Sequence, residues 1–486
     1  MALAVPEKAM RLREQHQVLR YESYTIVPGE SGIILEYHIS ISPNLDFKPR
    51  LTIPLQDASS RSWTQNDPLV HRLAFLIGMV ELLSYWKTCC PATIEVSAGA
   101  LDDHELAFWE SLLRHGLGEF FFTNQIPPDI DIGITSNSSN KPWDRCNTIR
   151  QPRSEKSFMV LVGGGKDSIL TLELLKKLEG IDTNNLVAFA LNPIPASLES
   201  IKVAGYGEPL VSTRHLDPLL RDLNACGYLN GHTPFSALLA FVASLTAYIN
   251  GFKYVLASNE SSASEGNVEF NGVNINHQYS KSFEFETHFK EYASRLGIPV
   301  DYLSFLRPIN ELQICALFSA IPKQHQVFRS CNREQTTIAR NRSQTGAPTT
   351  PAPKRGGWCA NCPKCVFTYL CLSCFLPQER LIEIFGDDPS AQSEFLNLAA
   401  ELAGLSAHKP FECVGTYEEV RACIAHLCAN SKLRKDVINN LERLMGHAID
   451  KSSDSLEQLL SNWNGQHFLP PDLESLLHGA LTALRG

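Results

Sequence analysis

The sequence predicts an α/β protein: a doubly wound parallel sheet forms the centre, an α+β domain precedes it and a helical region follows. Three observations predict this. Between residues 156 and 330, short apolar runs alternate with helical periods, the pattern of parallel strands joined by helical crossovers. Three glycines follow the first of these runs and a helix opens directly after them, at the place where open parallel sheets bind ligands. On the N-terminal side of this centre stretches with a period of two are followed by stretches at helical spacing, and on the C-terminal side the apolar residues recur every three or four residues.

Taken in order, residues 21–54 contain alternating stretches such as Gly32-Ile-Ile-Leu-Glu-Tyr-His-Ile-Ser-Ile41, which read as strands of a small sheet. Residues 69–86 repeat Leu73, Leu76, Met79, Val80 and Leu83 at helical spacing, and 105–117 do so with Leu106, Trp109, Leu112 and Leu113. The polar, turn-rich stretches 137–142 and 151–154 place a boundary near residue 155. Beyond it, 158–162 is a fully apolar strand, 163–165 a turn and 168–177 a helix ended by Gly180. A second strand spans 186–191. Thr233 is the expected cap, and Pro234 the first turn, of a helix that runs to Asn250 and closes at Gly251. A strand over 254–257, a helix over 285–296 and a strand over 299–305 continue the alternation. Residues 334–357 show no periodicity and read as a flexible loop. Helical patterns such as 396–402 and 437–444 dominate after Arg380. The expected division is 1–155 for the α+β domain, 156–330 for the nucleotide domain, 331–375 for a cysteine-rich segment and 376–486 for the helical region.

The chain has 486 residues, 44% of them hydrophobic and 20% charged, enough for about three domains of ordinary size. Its net charge of -9 argues against a nucleic-acid partner, which needs a surplus of Lys and Arg. No apolar run reaches the ~18 residues of a bilayer crossing, so no membrane partner is expected. Residues 1–13 mix Glu7, Lys8, Arg11 and Arg13 with single apolar residues and do not read as a secretion signal, so the expected compartment is the cytoplasm. Fourteen cysteines in a chain of this kind point to reduced thiols, some of them metal ligands.

The strongest chemical signal is Val160-Leu-Val-Gly-Gly-Gly-Lys-Asp-Ser168. Gly163, Gly164 and Gly165 let backbone amides approach a phosphate. The helix start at Lys166, Asp167 and Ser168 adds oriented N–H groups and a partial positive charge. The spacing is not that of the GTPase P-loop. It is similar to the Ser-Gly-Gly-x-Asp-Ser loop of the N-type ATP pyrophosphatase (PP-loop) superfamily, with Gly163 standing where that family has its first Ser. The resemblance implies an adenine nucleotide α-hydrolase-like fold, attack of a substrate oxygen on the α-phosphate of ATP, and release of pyrophosphate. A second signal is Cys359-Ala-Asn-Cys362-Pro-Lys-Cys365 with Cys331 upstream: four thiolates at such spacings suit a tetrahedral structural zinc. The PP-loop 7-cyano-7-deazaguanine synthases look similar here. Cys371 and Cys374 read as small buried residues of a helix. A third signal follows the third strand, where Asn259 and Glu260 sit in a ligand-loop position, and continues through His277, Gln278, Tyr279, Ser280, Lys281 and Glu284.

Together with His408-Lys-Pro-Phe-Glu-Cys413-Val-Gly, these motifs resemble the UDP-N-acetyl-α-D-muramoyl-L-alanyl-L-glutamate epimerase (MurL) family, over about residues 20–480. The resemblance implies conversion of the terminal L-Glu of UDP-MurNAc-L-Ala-L-Glu to D-Glu in peptidoglycan precursor synthesis, with ATP and magnesium consumed to give AMP and pyrophosphate. It also implies a partner ligase that supplies the L-Glu substrate. An α-proton beside a free carboxylate is very weakly acidic; an acyl-adenylate relieves this, and two opposed proton-transfer groups then invert the centre. His277, Tyr279 and Lys281 are the candidates for proton transfer, with Cys413 behind them. Lys166 is expected to balance phosphate charge and Asp167, with Glu260, to hold magnesium. Gln278, Ser280, Glu284, His408 and Lys409 are the candidate substrate contacts, the last two because a polyanionic substrate needs local positive charge. The alternatives are another PP-loop adenylating enzyme that forms an amide or nitrile, a tRNA-modifying enzyme, and a non-catalytic nucleotide-binding regulator.

Overall fold

Alternating strands with one buried face build the first sheet. In this computed structural model, which describes residues 5–56, 66–136, 143, 150–331, 333, 357–446 and 454–484, β1 (Val18–Pro28), β2 (Gly32–Ile41), β3 (Leu45–Phe47) and β4 (Arg50–Pro54) form antiparallel pairs. On β2 the inward residues Ile33, Leu35, Tyr37, Ile39 and Ile41 are all buried, as a period of two requires. The strands β5 (Thr93–Val96) and β6 (Gly133–Ser136) extend this sheet in parallel on the far side of β1.

The second sheet is the expected parallel one. It is built from β7 (Phe158–Leu161), β8 (Leu186–Leu191), β9 (Leu210–Ser212), β11 (Tyr254–Ala257) and β14 (Asp301–Ser304), in the order β14-β11-β7-β8-β9. Every pairing in it is parallel, which makes the protein α/β. The short β10 (Arg214–His215) leaves this region and pairs with β4 of the first sheet. The pair β12 (Val268–Phe270) and β13 (Val273–Ile275) forms a hairpin whose central Asn271 and Gly272 both have positive φ, as a tight two-residue turn requires.

Helices Pro68–Trp86 and Phe235–Asn250 lie in one continuous core with both sheets. The first is long and apolar enough to cross a bilayer by length and composition, contrary to the sequence expectation, but 94% of that stretch is buried inside the protein. Its charged residues Arg72 and Glu81 face partners there: Arg72 pairs with Glu105, and Glu81 with Arg214. Thr233 is not a cap. Helix Phe235–Asn250 starts from Pro234 with no side-chain cap, because the Thr233 hydroxyl is taken by the Lys87 ammonium at 2.9 Å. The C-terminal helices, among them Pro363–Ser373, Phe395–Leu402, Tyr417–Ala429 and Lys435–Met445, enclose a second core that holds Cys371 and Cys374. The stretch 137–142 and nearly all of 334–357 lie outside the described residues.

Candidate active site

The glycine loop sits at the carboxyl end of β7. Gly164 has a φ of +88°, and a Cβ there would stand 2.7 Å from the Ser197 backbone nitrogen, so only glycine lets the loop rest against the start of helix Pro195–Ala204. A Cβ on Gly163 would meet nothing within 4 Å, so no steric barrier keeps a side chain from that position. Gly165 is the N-cap of helix Lys166–Leu175 and offers no capping side chain, which leaves the first amides of that helix for an anion. They open on a cavity of about 390 Å³.

Beneath the loop lies an acid cluster. Oxygens of Asp167, Glu260 and Glu311 all come within 4.8 Å of one another, and the buried Lys166 ammonium pairs with Asp167 at 2.5 Å and with Glu311. Burial works against the charge of Lys166, but Asp167 and Glu311 outweigh it and hold the ammonium well above its usual range. Burial pushes the carboxyls of Glu260 and Glu311 up, and the neighbouring Asp167 adds to this. Three acids against one lysine leave room for a cation, and oxygen donors under a phosphate-type loop fit magnesium. Glu311 is a member that sequence reasoning misses. It opens helix Glu311–Ser319 after the capping box of Asn310 and Gln313, and that box is the legible signal.

The wall opposite the loop is basic and sulfur-bearing. The Asn267 side chain accepts from the His277 amide at 2.8 Å. The buried Arg307, paired with Glu286, donates to the Glu260 and Lys281 carbonyls. These contacts pin the turn, so that His277, Gln278, Ser280 and Lys281 line the cavity. Lys281 Nζ donates to Cys413 Sγ at 3.2 Å, and His277 Nδ1 meets Glu119 Oε2 at 2.5 Å. Burial opposes charge on His277, but Cys413 and Glu119 raise its pKa to about 9. Burial likewise opposes ionisation of Cys413, but Lys281, Lys364 and His277 lower its pKa well below the ordinary thiol value. Beside them His232, 4.4 Å from His277 between ring centroids, is pushed down to about 3 by burial and by the His277, Lys87 and Lys281 charges.

Gly163, Gly165, Asp167, Ser168, Asn259, His277, Gln278, Ser280 and Lys281 thus line one cavity, with Cys413; Gly164 supports the loop from behind, and Lys166 and Glu260 lie under it. Four of the expected residues lie outside this cavity's lining. Tyr279 points away, stacking on His115 at 5.1 Å in a separate cavity between helices Asp103–Gly116 and Phe283–Leu296, because the single 3-10 turn Tyr279–Lys281 sends successive side chains to different sides. Glu284 is exposed in the first turn of helix Phe283–Leu296, where an acid meets the helix dipole. His408 packs against Phe122 and Phe411. Lys409 is 1% exposed and neutralised by Glu265 at 2.9 Å, so it has no charge to spare for a substrate. Glu119 and His232, unforeseen, belong to the site.

A second donor set adjoins the cavity, whose lining includes Ser330 and Lys364. The sulfurs of Cys331, Cys359, Cys362 and Cys365 all come within 4.8 Å of one another, with Cys359 and Cys365 3.7 Å apart. Four converging sulfurs fit a tetrahedral zinc ion with no open position.

A parallel sheet that carries a glycine loop and a bare helix start at its carboxyl edge, facing a charged thiol and imidazole, defines an α/β enzyme joining an anion site to acid–base groups. The family model of the MurL N-terminal domain matches residues 10–305, and that of the MurL C-terminal domain matches residues 327–456. Relatives named UDP-N-acetyl-alpha-D-muramoyl-L-alanyl-L-glutamate epimerase are similar along most of their length. One from a Micromonospora strain is 34% identical over 85% of this chain and 87% of its own. One from Salinispora tropica is 34% identical over 77% and 76%, and one from Xanthomonas oryzae pv. oryzae is 30% identical over 84% and 86%. No solved structure matches the chain. The chain belongs to the MurL family and is an isomerase by reaction class.

Proposed function

We propose that the protein converts the terminal L-Glu of UDP-MurNAc-L-Ala-L-Glu to D-Glu through an acyl-adenylate, at the expense of ATP, in the cytoplasmic synthesis of peptidoglycan precursors. The observation that carries this reading is that the glycine loop and the acid–base wall share one cavity, in a chain whose relatives bear that name. An oxygen of the substrate α-carboxylate attacks the α-phosphorus of ATP, and the bond to pyrophosphate breaks. The adenylate removes the negative charge beside the α-carbon, so the α-proton becomes acidic enough to leave. Return of a proton to the opposite face and hydrolysis of the mixed anhydride give D-Glu and AMP. A ligase that adds L-Glu to UDP-MurNAc-L-Ala must supply the substrate.

The groups of the cavity divide the work of this scheme among them. The loop amides and the start of helix Lys166–Leu175 hold the polyphosphate. Asp167, Glu260 and Glu311 hold magnesium, which when bound neutralises phosphate charge. Lys166, paired with Asp167 and Glu311 beneath the loop, would balance phosphate charge. Asn259, Gln278 and Ser280 orient the substrate from the opposite wall. Zinc at Cys331, Cys359, Cys362 and Cys365 is structural.

The test is one incubation in deuterated water with magnesium, ATP and UDP-MurNAc-L-Ala-L-Glu, following AMP by chromatography and α-deuterium by mass spectrometry. AMP with deuterium gain is expected. AMP without deuterium would move the reaction to ligation or plain adenylation, and the absence of both AMP and deuterium would overturn the reading.

A further inference from the structure

One reactive group of the cavity has no part in the adenylation scheme, the thiol of Cys413, half-buried on the wall opposite the loop. Three distant stretches bring its surroundings together. Glu119 comes from the short helix Gly118–Thr123, His277 from the turn before Tyr279, and Cys413 from the segment before helix Tyr417–Ala429. His277 faces the thiol and meets Glu119 through Nδ1, and Lys281 donates to the same sulfur. Lys364, from helix Pro363–Ser373, faces the sulfur too, while His232 and Lys87 stand behind the imidazole. A carboxylate that orients an imidazole against a thiol is the arrangement by which enzymes keep sulfur ionised for chemistry.

We propose that Cys413, as its thiolate, takes the α-proton of the activated glutamyl residue, and that Glu119 is the positioning residue that keeps His277 charged beside it. This rests on the adenylate reading above. The C–H electron pair moves into the acyl carbonyl to give an enolate, and the proton goes to sulfur. A solvent-derived proton then adds to the opposite face. The thiol returns its proton to solvent, driven by the charges of His277 and Lys281, and nothing is oxidised or reduced.

The experiment compares the wild type with Cys413→Ser in deuterated water, reading ATP–pyrophosphate exchange and α-deuterium separately with UDP-MurNAc-L-Ala-L-Glu as substrate. The expected result is that exchange persists while deuterium uptake falls at least about a hundredfold, the usual reach of a proton-transfer group. Deuterium uptake at the wild-type rate in the variant would overturn the proposal, and so would a glutamyl adduct on Cys413 in the intact-protein mass, since sulfur would then act as a nucleophile. Absence of exchange in the wild type itself would remove the adenylate reading, and Cys413 would then be judged on deuterium alone. A second variant tests the positioning role. Glu119→Gln removes the charge that keeps His277 protonated, so the pH midpoint of Cys413 alkylation by iodoacetamide, mapped by peptide mass, should move up; an unchanged midpoint overturns that role.

Discussion

At residue 164 the backbone decides. A left-handed φ combined with a Cβ 2.7 Å from the Ser197 nitrogen makes Gly164→Ala both strained and crowded, at a cost of about 1–3 kcal/mol for the conformation alone. The loop should then shift. ATP–pyrophosphate exchange is expected to fall at least about tenfold, the equivalent of about 1.4 kcal/mol, while Gly163→Ser, placed where a side chain meets open space, should leave the melting temperature unchanged. Asp167 is different, since its carboxylate pairs with the Lys166 ammonium and lies within 4.8 Å of the other two acids. Asp167→Ala should abolish pyrophosphate release and leave the circular dichroism spectrum intact. Glu311→Gln, which removes one of three candidate ligands, should raise the magnesium concentration needed for half-maximal exchange. Wild-type turnover by Asp167→Ala, or an unshifted magnesium curve for Glu311→Gln, would remove these residues from the ion.

At the scale of elements, the strand, glycine loop and helix of residues 158–175 are legible because each signal is local: a short apolar run, glycines, and helical spacing. The helix itself begins two residues before the expected Ser168, at Lys166. Helix Pro195–Ala204 escapes sequence reasoning although Pro195 at its start and Gly205 in the left-handed conformation at its end are ordinary boundary signals. Its apolar face is short, and the sequence between 191 and 233 offers no strong period. The site is half legible. Asn276 to Lys281 announces its chemistry by residue type, but which of those side chains enters the cavity depends on one 3-10 turn, and Glu119 lies 158 residues from its partner His277, beyond any local pattern. The cysteine segment belongs to this scale too. Cys362 is 1% exposed among three other sulfurs, so Cys362→Ser should release bound zinc, measured by elemental analysis, and lower the melting temperature. Full zinc content in that variant would show that the four sulfurs are not its ligands.

For the whole molecule, the question is whether the two sheets fold separately. Their core says no: Trp109 on helix Asp103–Gly116 stacks on Phe241 of helix Phe235–Asn250 at 5.5 Å, and Phe108 stacks on Tyr292 of helix Phe283–Leu296 at 4.2 Å. The strand β10 carries Arg214 out of the half that holds the parallel sheet to a fork with Glu81, at 2.6 and 2.8 Å, on helix Pro68–Trp86. Glu81 is 1% exposed, and burial of a lone carboxylate is costly. Removal of its partner in Arg214→Ala should therefore destabilise the protein by about 3–5 kcal/mol, the cost of an orphaned buried charge rather than of a lost surface contact. If one core serves both sheets, that loss must appear on both sides of residue 155. Hydrogen exchange of the variant is expected to show β2 and β11 losing protection together. Faster exchange confined to β1–β6 would mean that the sheets unfold independently, with the fork as a tether between them. Joint loss would mean that the wall bearing Glu119, which comes from the N-terminal half, is held in register with the glycine loop by the same packing that stabilises the fold.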